Sequence, residues 1–472
     1  MTDVDAVIVG SGPNGLVAAV ALAEAGWKVV VLEAGERPGG ALRTEEVTLP
    51  GFRHDIGATV HAMVLASPAF RAIDLSREGL ALAQPTIPLG HAIEPGRSVL
   101  LHRSAAETAI GLGRDGRRWE RSIGRLGARW RGLAASVLDP TSVPPHSVRD
   151  LADVIGRGAW PATWTMRTAF REELARALLA GLAAHSTLPL SALGSTGFGI
   201  TLGALAHGVG WPVAVGGSQS IADALVRRLE SLGGSIETSH RVRSLDELPS
   251  ARATLLDVGP HQLRSIAGDR LPGAHATRLA RWRYGPGAFK VDWALDGPVP
   301  WLDPALADAG TVHIGGSAAS VVRSERAVAR SSIANEPFVL LVQPSVADPT
   351  RAPVGKQTVW AYIHVPNGWP GDATALIEDR IERFAPGFRD RILGRHTMGP
   401  AALESWNANL IGGDINGGSA DWRQMIARPR LSLAPWTTAL PGLFLCSAST
   451  LPGGGAHGMG GWNAARTVLR RS

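Results

Sequence analysis

The sequence predicts an α/β protein in which a dinucleotide-binding unit built on a Rossmann βαβ motif is interleaved with a second unit of mixed or antiparallel sheet and helices. Three observations predict it. Near the start, a short β-branched run at residues 6–9 leads into a glycine turn and then an Ala/Leu-rich helical pattern to Gly26. The order strand, glycine loop, helix returns at residues 443–470. Between these ends, residues 288–295 and 338–342 alternate as strands of an antiparallel sheet do. Length and composition fit, since 472 residues allow about three domains, and 45% apolar with 19% charged residues excludes disordered, collagen-like and coiled-coil chains.

The first element is the most informative. Ala6, Val7, Ile8 and Val9 precede Gly10-Ser11-Gly12-Pro13-Asn14-Gly15, and Val29 to Leu32 form the next strand before Glu33. This is G-x-G-x-x-G between a strand and a helix, with an acidic residue roughly 20 positions on. Gly10 permits the tight turn, Gly12 lets the backbone approach a pyrophosphate, and Gly15 lets helix and strand pack closely. The helix start, where Pro13 is followed by Asn14, offers free N–H groups beyond the proline to phosphate, and Glu33 accepts from ribose hydroxyls. A second glycine pair, Gly39-Gly40, follows at short range, then Ala41, Leu42 and Arg43. It leaves backbone amides bare beside the same pyrophosphate, and Arg43 adds a fixed positive charge.

With this second glycine pair the chain resembles FAD-binding oxidoreductases of the glutathione-reductase-like fold, in the amine-oxidase and phytoene-desaturase superfamily. The resemblance implies FAD as cofactor, held also by Ala34. It further implies that the chain leaves this domain and returns to it.

Residues 65–205 carry no such fingerprint. Residues 98–102 read as a strand, and 116–133 as a helix with Trp119, Ile123, Leu126, Trp130 and Leu133 on one face and Arg117, Arg121, Arg125 and Arg129 in a stripe. The stripe reads as the solvated outer face of a substrate domain; contact with an anionic membrane surface is the minority reading. Residues 177–222 contain no Asp, Glu, Lys or Arg, but prolines and glycines interrupt the run, so buried helices explain it better than one membrane-spanning helix.

The block from Trp211 through Gly216-Gly217 and a helix to Gly233-Gly234, then residues 235–243, reads as glycine turn, helix and strand. By the resemblance it returns the chain to the FAD domain, with the strand around Val242 passing the adenine. Residues 253–260 read as the next sheet strand and turn. Residues 281 to about 430 form the second excursion, in which Trp293, Trp301, Trp360, Trp369, Trp406 and Trp422 are read first as core filling and only secondarily as pocket lining. The resemblance makes residues 1–65, 205–280 and 425–472 the FAD domain and 66–204 and 281–424 the substrate domain.

The last block carries Cys446, Ser447, Ala448 and the loop with Gly453-Gly454-Gly455-Ala456-His457-Gly458-Met459. A helix start exposed behind glycines stabilises negative charge at the carbonyl edge of a reduced flavin. Ser447, Gly455, His457, Gly458 and Met459 are the expected cofactor contacts here, although Ser447-Ala448 stand where many flavoproteins have Gly-Asp. The sole cysteine excludes a disulfide framework, a thiolate zinc site and an iron–sulfur cluster, and no metal site is expected. The match covers nearly the whole chain. Residues 290–301, 360–366, 409–419 and 447–461 resemble the branch containing pyridine nucleotide-disulfide oxidoreductase domain-containing protein two.

No second G-x-G-x-x-G follows a strand, so a separate NAD(P)H domain is not expected, and oxygen or a quinone is the expected electron acceptor. The leading reading is an FAD-dependent dehydrogenase, desaturase or oxidase taking hydride from a small, largely apolar substrate onto flavin N5. The alternatives are an amine oxidase, a flavin-dependent isomerase and a flavin-loaded interaction protein without turnover. Lys290 and His457 are the candidate catalytic residues. Lys290 is one of only three lysines, in a strand that by resemblance passes near N5; His457 sits in the glycine loop beside the expected flavin edge, within reach of acid/base work. A surface charge and a loop brace are the competing readings of the two. His54, Asp55 and His61 are weaker candidates, and Asn409 and Asp414 read equally as loop caps. A net charge of +6 is small for this length and nothing else suggests nucleic acid. The acidic start lacks a leader pattern, so the chain is read as cytoplasmic, with peripheral membrane contact as the minor alternative. Oligomeric state is not legible in it.

Overall fold

The structure, a computed structural model, describes residues 4–142 and 145–471; Met1, Thr2 and Asp3 of the acidic start lie outside the described residues. Strands Ala6–Val9, Val29–Leu32, Ser235–Glu237, Ala253–Leu256 and Leu443–Leu445 form a five-stranded sheet in which each recorded pairing is parallel. Ala6–Val9 lies at its centre, flanked by Ala253–Leu256 and Val29–Leu32. Four consecutive apolar residues are buried in the central strand because helices cover both faces. The helix Pro13–Glu24 starts with proline at its first turn and packs against the C-terminal helix Met459–Arg471. They meet so closely that a β-carbon on Gly461 would lie 1.8 Å from the Asn14 carbonyl oxygen.

A seven-stranded sheet makes the second layer, in the order Ile392–Met398, Gly287–Leu295, Gln357–Val365, Val339–Val342, Ala309–Ile314, Ile87–Glu94, Arg97–Leu101. Its pairings are antiparallel except for Ala309–Ile314 with Ile87–Glu94. All nine residues of Gly287–Leu295 are buried. The alternation expected there is therefore between two covered faces. Val291, Trp293, Val312, Leu341 and Ile363 pack against helix Thr374–Phe384, whereas Leu89, Leu340, Val342 and Trp360 face helix Glu173–Ala184.

Several expected elements differ. The helix expected over 116–133 is broken, with helical turns Gly116–Trp119 and Arg125–Ala128, a π-helical stretch between them, and Trp130–Leu138 after Arg129. Arg129 leaves the basic stripe to pair with Asp150 and Asp153. Val242 is not in a strand; the sheet strand ends at Glu237, and residues 241–244 are extended loop. Helices Ala62–Ala66 and Ser195–Gly208 run through the domain limits expected at 65 and 205. Residues 177–222 fold as helices and a short strand, and among the described residues no helix is long and apolar enough to cross a membrane.

Candidate active site

A cavity of about 590 Å³ lies between the two sheets. At one end its wall is backbone. Gly10, Gly12, Pro13 and Asn14 line it with Glu33, Ala34, Gly40, Ala41 and Arg43. No side chain caps the helix at Gly12; Pro13 has no N–H and the Gly15 N–H goes to Asp257, so the Asn14 N–H is the one the first turn leaves open. Gly10 has φ +96°, and a β-carbon on Gly12 would lie 2.6 Å from Asp257 Oδ2. One on Gly40 would stand 2.9 Å from the Gly12 α-carbon. The glycines thus let the turn, Asp257 and the second glycine pair approach at distances that no side chain would permit. Glu33 Oε2 accepts from the Ser11 N–H at 2.8 Å and from the Ser11 hydroxyl, and Oε1 from the Gly35 N–H at 2.7 Å, which fixes the carboxylate and leaves Oε1 a lone pair for a hydroxyl donor.

Asp257, at the end of the neighbouring strand, lies under this turn, where its Oδ2 accepts from the Gly15 N–H at 2.9 Å. Burial pushes its carboxyl up to about 7, the Gly15 hydrogen bond opposing and the Glu33 charge adding to the rise. Gly15 itself does not line the cavity; a β-carbon there would lie 2.1 Å from the Gly10 carbonyl oxygen, so it serves helix–strand packing. Gly39 and Leu42 also stay outside the lining, Gly39 against Gln219 and Ala222, and Leu42 fully buried in the core. The side chain of Asn14 turns to the C-terminal helix, where its Oδ1 accepts from the Gly460 N–H at 3.1 Å. Val242, though in loop, lines the cavity beside Arg241.

The other end is a floor of side chains on the seven-stranded sheet. Register places Lys290, Tyr362, Leu340, His313 and His91 in one row, on the face toward helix Glu173–Ala184. Lys290, Thr311, Leu340, Val342, Trp360 and Tyr362 line the cavity from this floor. Lys290 is buried, not the surface charge of the competing reading. Its Nζ donates to Asp292 Oδ1 at 2.6 Å and Oδ2 at 2.8 Å and to the Asp55 carbonyl at 2.8 Å, and lies 5.2 Å over the Trp360 ring. Burial opposes the charge on Asp292, but Lys290, with His396 and His54, holds its carboxyl below the usual range. Asp55 is likewise ionised against burial by Arg351 at 2.9 Å, the Thr44 hydroxyl and the Ser218 N–H. His61 lines the cavity and its Nε2 donates to Ser218 Oγ at 2.8 Å, while burial lowers it to about 4. His54 sits deeper, 3.5 Å from Asp292 and outside the lining.

At the C-terminal loop, Ser447, Ala448, Ser449, Gly454, Gly455 and Ala456 line the cavity, but His457, Gly458 and Met459 do not. His457 as an acid/base group is overturned by its bonding. Its Nε2 donates to the Gly453 carbonyl at 3.1 Å, its Nδ1 accepts from the Met459 N–H at 3.1 Å, and burial lowers it to about 4. Both nitrogens are spent bracing the loop. Gly458 packs on Val17 and Met459 is core. Asn409 lines the cavity yet is a brace too, accepting from the Gly259 N–H at 2.8 Å, and Asp414 caps its own loop through the N–H groups of Gly285, Asn416 and Gly418. The fully buried Arg428 ties Ala448 to Asn416 through their carbonyls. Of the tryptophans singled out by sequence, Trp360 and Trp406 reach the cavity, Trp293 and Trp301 fill core, and Trp422 is exposed. Cys446 is buried, and burial raises its thiol.

Sequence reasoning missed Asp257, Asp292, Arg351 and His185. Asp292 was legible, because residues two apart on a strand share a face with Lys290. The others meet only through tertiary structure.

Comparison with known proteins matches residues 8–73 to the NAD(P)-binding Rossmann-like domain. Pyridine nucleotide-disulfide oxidoreductase domain-containing protein 2 of Rattus norvegicus is 25% identical, over 99% of this chain and 93% of its own length. The neurosporene-forming phytoene desaturase of Rhodobacter capsulatus is 24% identical, over 95% of this chain and 90% of its own. Among solved structures, a triple mutant of putrescine oxidase superposes with a TM-score of 0.65 at 17% identity, covering 100% of this chain and 99% of that one. The relatives are oxidoreductases by name, and this chain shares the glutathione-reductase-like fold of its structural neighbours.

Proposed function

We propose that the chain oxidises a small, largely apolar, uncharged substrate held on the sheet floor, and that oxygen or a quinone takes up the electrons. The observation that carries this reading is the continuity of one cavity from the glycine turn to a floor of Leu340, Val342, Trp360 and Tyr362, closed by Phe198, Leu202, Trp211, Leu403 and Trp406. The residues at the glycine end fit FAD. Gly10, Gly12, Gly40 and the open helix start would hold the pyrophosphate, Glu33 the ribose, and the loop of Ser447 and Gly455 the flavin end. When bound, the flavin supplies hydride acceptance. The chain contributes orientation and exclusion of water, since apolar side chains form most of the distal wall. Residues 1–65, 205–280 and 425–472 would serve the cofactor and the two intervening segments the substrate, with the limits moved to the ends of helices Ala62–Ala66 and Ser195–Gly208.

An amine substrate is disfavoured by where the charges lie. The carboxylates that line the cavity, Glu33 and Asp257, are both at the glycine end, and near the floor the Asp292 carboxylate is already taken by Lys290. An ammonium group there would be unpaired. Anaerobic absorbance of the purified protein, screened against carotenoid precursors, fatty acyl compounds, polyamines and aromatic amines, tests the proposal. Bleaching by an uncharged apolar class supports it, and bleaching by polyamines alone overturns it.

A further inference from the structure

Behind the floor, three histidines from distant parts of the chain stand in contact. His185 Nε2 lies 3.0 Å from His313 Nε2, and the His313 and His91 rings meet edge to face with centroids 5.8 Å apart. The state of each ring follows from the next. His91 Nε2 is 2.9 Å from the Gly316 carbonyl, which only accepts, so the proton of neutral His91 is on Nε2 and its buried Nδ1 is a lone pair. His313 Nδ1 lies beside the same residue, Gly181, where a β-carbon would stand 2.6 Å from the His91 nitrogen and 2.5 Å from the His313 one, and neither nitrogen has a hydrogen-bond partner among the described residues. Two unpartnered lone pairs at one small gap in a dry interior repel, which favours the His313 proton on Nδ1. His313 Nε2 is then an acceptor, and His185 must donate to it through Nε2. What remains is His185 Nδ1, an acceptor on a ring that lines the cavity and that Trp211 meets edge-on. Burial keeps all three rings neutral, lowering His185 to about 3, His91 to about 4 and His313 well below its usual value.

Two residues on, Thr187 also lines the cavity, in a left-handed conformation (φ +56°) that a β-branched residue adopts at a cost. Its hydroxyl oxygen accepts from Asn416 Nδ2 at 3.3 Å, which leaves its proton to donate. An acceptor and a donor two residues apart, both lining the cavity, complement a hydroxyl group, which both donates and accepts. We infer that His185 and Thr187 form a recognition site for a hydroxyl group on an otherwise apolar substrate, with His313 and His91 as positioning residues that fix the His185 tautomer. The inference rests on reading the cavity as the substrate site.

Nitrogen-15 spectra of histidine-labelled holoprotein test the tautomers without any substrate. A pyridine-type His185 Nδ1 with a pyrrole-type Nε2 is expected, changing to a mixture of tautomers in His313→Leu; a protonated Nδ1 in the wild type overturns the inference. Binding of 1-decanol against n-decane, followed through the flavin absorbance, tests recognition. The alcohol is expected to bind about 10-fold tighter or more, with the preference lost in His185→Phe and decane binding retained. Equal binding by the wild type overturns the hydroxyl site and leaves the cavity reading standing. Binding of neither probe overturns both.

Discussion

The glycine end of the cavity and its sheet floor build binding surface by opposite means. At the glycine end the groups that matter are main-chain N–H groups left open by Gly10, Gly12 and Gly40, drawn from about thirty consecutive residues. On the floor they are side chains, and each is held by partners from far along the chain. Lys290 is fixed by Asp292 and by the Asp55 carbonyl, and Asp55 in turn by Arg351. A backbone site tolerates no added atoms, whereas a side-chain site tolerates no broken pairs. The two ends should therefore fail differently when mutated.

The largest effect is expected from Gly15→Val, whose β-carbon falls 2.1 Å from the Gly10 carbonyl. Purified variant should retain no flavin; a yellow, fully loaded variant would remove backbone packing as the basis of the glycine end. Next is Asp292→Ala, which strands the buried Lys290 charge and should cost about 3–5 kcal/mol in denaturant unfolding. The double variant Lys290→Met with Asp292→Leu should recover much of that loss, and equal losses in single and double variants would show that the pair is not what holds the floor. Lys290→Met should also leave FAD bound while slowing flavin reduction by the true substrate, on the order of 100-fold if the lysine assists proton handling.

Asp257 gives a pH-dependent distinction. Its folded carboxyl is raised to about 7 from 3.8, so the native state holds a proton that the unfolded chain has released. That contribution is complete below the unfolded value and is lost as pH rises toward 7. Relative to Asp257→Asn, the wild type should lose roughly 2–3 kcal/mol between about pH 5 and pH 8. Parallel stability profiles would contradict this. Smaller again is Glu33→Ala, with FAD affinity lowered about 10- to 100-fold by loss of a charged acceptor. Smallest is His457→Ala, expected to lower stability by about 1–2 kcal/mol while leaving the rate of flavin reduction unchanged. A rate loss without a stability loss would return the histidine to the chemistry.

What was legible in the sequence follows the same division. The turn at Gly10, Gly12 and Gly15, Glu33 and the second glycine pair are local patterns with local reasons, and the strand–turn–helix geometry follows from them. Lys290 stood out by scarcity and by the resemblance that runs its strand near N5; Asp292 lies two residues along that strand, whereas Asp55 reaches it only through the packing of the sheet on residues 44–61. His457 was misread because a glycine-rich loop can present a side chain either way, and hydrogen bonds to Gly453 and Met459 turn this one inward. Val242 kept its place by the cavity without its predicted strand, because pairing to Val29–Leu32 ends at Glu237. The row from Lys290 to His91 draws on five strands whose register no local pattern encodes.

The central claim is that electrons reach the flavin from an uncharged apolar molecule on the sheet floor rather than from a nicotinamide. Anaerobic absorbance of the purified protein, mixed in turn with NADH, NADPH and the apolar candidates, measures this directly. The account predicts bleaching of the oxidised flavin band by an apolar donor and none by either nicotinamide on the same timescale; rapid bleaching by NADH or NADPH, with the apolar compounds inert, would contradict it.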